Sequence, residues 1–113
     1  MYKDLWSEIQ GKMRELDVCV RELRKSGTAY AEAERDYQIE KADQTLKLKS
    51  QGKPVGIITT IIKGVQPVAD KLFKRMVAET VYRANLEAIN SIKIELRIIE
   101  AQYEREWGQA KNM

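Results

Sequence analysis

The chain contains no histidine. That removes Ser-His-Asp and Cys-His nucleophilic machinery, together with the histidine-bearing zinc and di-iron sites. A single cysteine, Cys19, forbids an intrachain disulfide and suits a reducing compartment. It reads as a small apolar residue on a helix rather than as a reactive thiol. Aromatic residues are scarce, 7% of the 113, and five of those eight are tyrosines, so a core able to enclose a substrate is not expected. No apolar run approaches the ~20 residues of a membrane span. The opening stretch MYKDLWSEIQ has neither the basic start nor the apolar centre of a secretion signal. The expected location is therefore cytoplasmic, away from any membrane. Glycine is sparse too, and GKPVG lacks the spacing of a phosphate-binding loop and does not join a strand to a helix.

What is present is helical patterning. With 33% charged and 43% apolar residues, the composition suits one helix-rich domain. After Leu5, the residues Ile9, Met13, Leu16, Val20 and Leu23 alternate spacings of four and three. The beat continues through Gly27 to Tyr30, with Trp6 flanking it. This is the pattern of a coiled-coil seam. Ser26-Gly27-Thr28 weakens the propensity but keeps the phase, so one continuous or mildly kinked helix is expected rather than two jointed ones. Gly27 would also admit the close approach of another backbone. Ala29, Ala33 and Tyr37 carry the face onward, and the stripe then drifts toward Ile39, Ala42 and Leu46. Glu34 falls on the seam and, if buried, would want a basic or amide partner.

Both prolines and three of the six glycines lie within residues 52–67. These residues form the expected bend of a helical hairpin. Gly52 caps the first arm (about 3–51), and Pro54 cannot continue its ladder. The run VGIITTII is β-branched and suggests a strand, but a lone strand has no partner here. A short helical turn over about 58–63, stopped by Gly64, is more economical. Its isoleucines would plug the end of the pair. Pro67 would open the second arm (about 67–107), with Leu72, Met76, Ile89, Ile92, Leu96, Ile99 and Tyr103 inward and Ile94 and Ile98 widening the stripe. Gly108 would end it, leaving a frayed tail over 108–113. With Thr60 as midpoint, Tyr37 falls near Arg83 and Glu34 near Leu86. The fold class is thus all-α, a long antiparallel helical hairpin. Two long helices leave apolar surface uncovered in a monomer, so a homo-oligomer is expected.

The charge is unevenly spread. Net charge is +3 overall, −2 over residues 1–43, +6 over 44–75 and −1 over 76–113. The middle block holds Lys47, Lys49, Lys53, Lys63, Lys71, Lys74 and Arg75 against Asp70 alone. Such a block neutralises phosphates and releases counterions, which gives affinity without base reading. Single- or double-stranded DNA is the expected partner class. The absence of tyrosine between residues 38 and 81 argues against base stacking. The plainer use of these lysines is to complement helix C-termini and keep an isoleucine-rich bend soluble. Glu40 and Asp43 make one Glu-x-x-Asp pair, where magnesium-dependent nucleotide hydrolases need several. A solvated helix face is the better reading, and neither metal nor cofactor is expected.

Two passages carry a resemblance: AERDYQIEKADQTLKLKSQGKPVGII (33–58) and VAETVYRANLEAINSIKIELRIIEAQYEREW (77–107). They resemble small helical proteins of bacteriophages and prophages of Gram-positive bacteria, often encoded among early genes for single-strand binding and annealing. The resemblance spans roughly the last two-thirds of the chain and brings no established site residues. It implies a non-enzymatic accessory role in phage DNA replication or recombination, in the cytoplasm of a host cell. The alternative it leaves open is a module that binds a host or phage protein, such as a defence nuclease.

Overall fold

Gly52 has φ +82°, the left-handed conformation that glycine adopts without penalty. Its N–H donates to the Lys49 carbonyl at 3.0 Å, and the Lys53 N–H donates to the Leu48 carbonyl at 3.2 Å. These two bonds form a Schellman cap, which closes the orphan carbonyls at the end of the first helix. Pro54 follows immediately and fixes the exit. The computed structural model describes residues 2–112. In it, helix α1 spans Tyr2–Ser50, α2 spans Val55–Ile61, a 3₁₀ turn covers Ile62–Gly64, and α3 spans Gln66–Asn112. The protein is all-α, with two long helices packed antiparallel and a short helix in the bend.

The β-branched run is helical. Thr59 and Thr60 donate their hydroxyls to the carbonyls of Val55 and Gly56, at 3.0 and 2.9 Å. This back-bonding satisfies the side chains inside a helix. The helix starts earlier than the expected Ile58, and the 3₁₀ turn does end at Gly64. Ile58 and Ile62 point inward and are buried, whereas Ile57 and Ile61 face solvent, so half of the isoleucines plug the bend. Helix α3 opens at Gln66 with Pro67 second, where a missing N–H is harmless. It runs on through Gly108 to Asn112, against the expected stop. One half-buried glycine costs about 1 kcal/mol, too little by itself to end a helix already packed below it. Of the expected tail, Met113 lies outside the described residues.

By internal contacts the chain divides into two compact units. The first combines the part of α1 up to Arg24 with the part of α3 from Arg83. Its core is Ile9, Ile92 and Leu96, with Leu16, Cys19, Ile99 and Tyr103 packed against it. Trp6 lies on Tyr103 with ring centroids 5.7 Å apart, and Asn85 donates its amide to the Glu22 carbonyl at 3.3 Å. Met13 does not join this core; it is 53% exposed. Its place on the seam goes to Lys12, which pairs with Glu95 across the helices and with Glu15 along α1.

The second unit is Lys25–Tyr82 and contains the bend. Tyr37, Ile62 and Val68 form its core, joined by Leu48, Val65 and Leu72. The helix is unbroken at Ser26-Gly27-Thr28. Ser26, not Gly27, takes the buried seam position. Gly27 serves a side chain instead of a backbone. Tyr82 seats its ring there, 3.3 Å from where a Cβ would stand, and also meets Tyr30 with centroids 5.9 Å apart.

The register differs from the expected one. Tyr37 meets Arg75, whose guanidinium lies 5.7 Å from its ring centroid, and Glu34 pairs with Arg75 at 3.2 Å. Arg83 comes about two turns, ~12 Å of rise, later on α3. The expectation placed the bend symmetrically between the arms. In the structure α1 continues about a turn past the level where α3 begins. The α2 segment folds back beside that overhang, so bend residues are used up alongside α1 rather than beyond it. Met76 is accordingly 55% exposed, and Arg75 occupies the inward position.

Two measurements check this packing. A Cβ at Gly11 would meet only the Arg14 guanidinium, at an ordinary 3.8 Å, so Gly11→Ala should stabilise by about 0.5–1 kcal/mol in urea unfolding. Gly27→Ala should gain clearly less, because the new methyl presses on Tyr82; equal gains would mean the ring is not seated there. The second concerns Lys12, held above its usual value of 10.5 by hydrogen bonds to Glu95 and then Glu15. A raised folded value means this contribution is complete below the unfolded pKa and is lost as pH climbs through the folded one. Melting curves from about pH 9 to 12 should therefore show wild type losing more stability than Lys12→Met.

Candidate nucleic-acid interface

All seven basic residues singled out above lie in the second unit, on four different pieces of backbone. Lys47 and Lys49 belong to the last turn of α1, Lys53 to the loop and Lys63 to the 3₁₀ turn. Lys71, Lys74 and Arg75 stand in the first turns of α3. Lys47, Lys49, Lys53, Lys63 and Lys74 are exposed, and Lys71 is half-buried. Asp70, the sole acid among them, accepts a hydrogen bond from the Gln66 amide at 2.8 Å.

The block is not one flat patch. Lys47 and Lys49 are two residues apart on a helix and project from different sides of it. Lys49 instead shares a concavity of about 460 Å³ with Lys63. A third lysine, Lys41, lines the same concavity and stands 5.9 Å over the Tyr37 ring. Charge counting missed Lys41, which lies before the basic block. Lys41, Thr45 and Lys49 fall at i, i+4 and i+8 on one face of α1, the face that lines the concavity.

Arg75 is the exception among the seven. Its guanidinium Nε lies 3.2 Å from Glu34, Nη1 donates to Glu79 at 3.2 Å, and the group rests against Tyr37. Glu34 is further held by the Gln38 amide at 2.9 Å. Glu34 is 42% exposed rather than buried, and has both a basic and an amide partner where one or the other was expected on burial. Arg75 is a clamp between helices, with its charge matched inside the protein.

Glu40 accepts a hydrogen bond from Gln44 at 2.9 Å. Among the described residues, no three or more Asp, Glu, His or Cys side chains converge as metal ligands. No described helix is long and apolar enough to cross a membrane. No family model, curated protein or solved structure matches the chain.

The contrast between Arg75 and the exposed lysines is measurable. Arg75→Met should lower stability by about 1–2 kcal/mol, the range for a partly exposed ion pair with a ring contact. Lys53→Met should stay within about 0.5 kcal/mol of wild type. Similar small effects for both would contradict the clamp.

Proposed function

We propose that this protein is a non-enzymatic accessory factor that holds nucleic-acid phosphates through the lysines of its bend. In line with the resemblance noted above, this fits a phage-type role in DNA replication or recombination. One observation carries the reading: Lys47, Lys49, Lys53, Lys63 and Lys74 are all exposed around a bend whose single acid already has a partner. Mobile ammonium groups on several sides suit a flexible, sequence-independent backbone contact. They do not suit base reading, which wants rigid bidentate groups.

Self-association belongs to the same reading. On α3, Phe73, Val77 and Val81 recur at i, i+4 and i+8 and are all exposed, Phe73 at 68%. A two-helix pair cannot cover a stripe on its own outer face. A second copy packed there would place several basic bends in one particle and add weak contacts together. The same stripe supports the second reading, a module that binds a host or phage protein through an apolar helix face.

Fluorescence anisotropy with a labelled oligonucleotide separates the two. The phosphate reading predicts binding whose log K falls against log salt with a slope of about −2 to −4. Exchanging Lys47, Lys53 and Lys74 for glutamate should weaken binding at least about tenfold. A chain that binds no oligonucleotide at low salt, and stays monomeric in sedimentation, would sink this reading and leave the protein-binding module.

A further inference from the structure

The concavity between α1 and the returning α2 has a chemistry of its own. Its three charged walls are Lys41, Lys49 and Lys63, and no carboxylate lines it. Its floor is apolar, made by Ile58 and Ile62, both buried, with Val55 at the edge. The two lining hydroxyls are committed as donors. Thr45 donates to the Lys41 carbonyl at 2.7 Å and Thr59 to the Val55 carbonyl at 3.0 Å. The free donors facing this space are therefore ammonium groups, which demand an acceptor-only, negatively charged ligand. Like charges converging on one space repel until an anion joins them. A volume of about 460 Å³ exceeds what a lone inorganic anion needs and lies in the range of small-molecule sites.

From this we infer that the concavity binds one nucleotide unit by its phosphate, with the lysines on the phosphate and the sugar and base against the isoleucines. The phosphate can belong to a free nucleotide or to a strand's 5′ end. In the second case the inference rests on the phosphate-binding function proposed above and gives it polarity: the exposed lysines outside hold the strand, and the concavity holds its terminus. Lys41 is the residue that distinguishes the two sites, because it lies outside the basic block of the bend and, of the three lysines lining the concavity, is the one that is half-buried.

The test compares a 5′-phosphorylated oligonucleotide, the same strand with a 5′-hydroxyl, and dAMP. Each is titrated into wild type, Lys41→Gln/Lys63→Gln and Lys47→Gln/Lys53→Gln. Helix content of every variant is checked by circular dichroism, and the exposed single change Lys49→Gln serves if the double variant unfolds. A phosphorylated strand binding about tenfold tighter than its hydroxyl counterpart, with that ratio reduced to about one in Lys41→Gln/Lys63→Gln alone, supports the strand-end source. Equal binding of both strands, with dAMP raising the melting temperature of wild type but not of that variant, supports the free-nucleotide source. Salt-dependent binding of both strands with no effect of the 5′-phosphate or of dAMP, and with Lys41→Gln/Lys63→Gln weakening both strands no more than Lys47→Gln/Lys53→Gln does, overturns the inference and leaves the proposed function standing. If nothing binds, both fall. A response to dAMP that inorganic phosphate reproduces in full, in wild type and variant alike, also overturns the inference.

Discussion

Arg75 joins the two long helices where apolar residues alone would leave their alignment open. Its guanidinium reaches Glu34 on α1 and Glu79 on α3, both at 3.2 Å, and lies against Tyr37. Leucines and isoleucines spaced at heptad intervals pack nearly as well when one helix slides by seven residues. A guanidinium paired with two carboxylates does not, because sliding would strand a charge in a partly buried seam. The aromatic pair above it adds a second lock, since Tyr82 needs the missing side chain at Gly27. A polar and aromatic seam of this kind contributes alignment more than raw stability.

That alignment shapes the bend. With Tyr37 opposite Arg75, α1 must run on past the start of α3, and its Schellman cap at Gly52 turns the chain back along its own last turns. The returning segment carries a β-branched sequence, yet it is helical because Thr59 and Thr60 bond the preceding turn and because Ile58 and Ile62 then reach the core. Folding back beside α1 creates the lysine-walled concavity. A bend projecting symmetrically beyond both helices would have left those lysines scattered.

Much of this architecture can be read from residue order alone. The two arms, the cap at Gly52, the helical rather than extended bend and the need of Glu34 for a partner follow from periodicity, glycine and proline chemistry and the cost of an unpaired charge. The register does not follow. It depends on how many bend residues lie alongside α1, a tertiary matter that no local pattern encodes. The inward residues at single positions were missed for a related reason. Heptad counting favours Met13 and Met76 for their hydrophobicity, but the seam takes Lys12 and Arg75, whose long stems pack while their charges find carboxylates across or along the helices. The same substitution of roles removes Arg75 from the basic surface, where composition alone would have kept it. Lys41 was legible only once it was known which face of α1 meets α2.

The proposed function depends on what the exposed lysines meet. Internal partners account for Arg75 and Asp70, and the surrounding positive charge has its chemical complement in phosphate. The most direct test is a two-dimensional NMR titration of the labelled protein with a short single-stranded oligonucleotide at low salt. The account predicts shifts concentrated between Lys41 and Lys74, reversed by added salt. Shifts confined to the stretches before Arg24 and after Arg83, or no shifts at all, would contradict it.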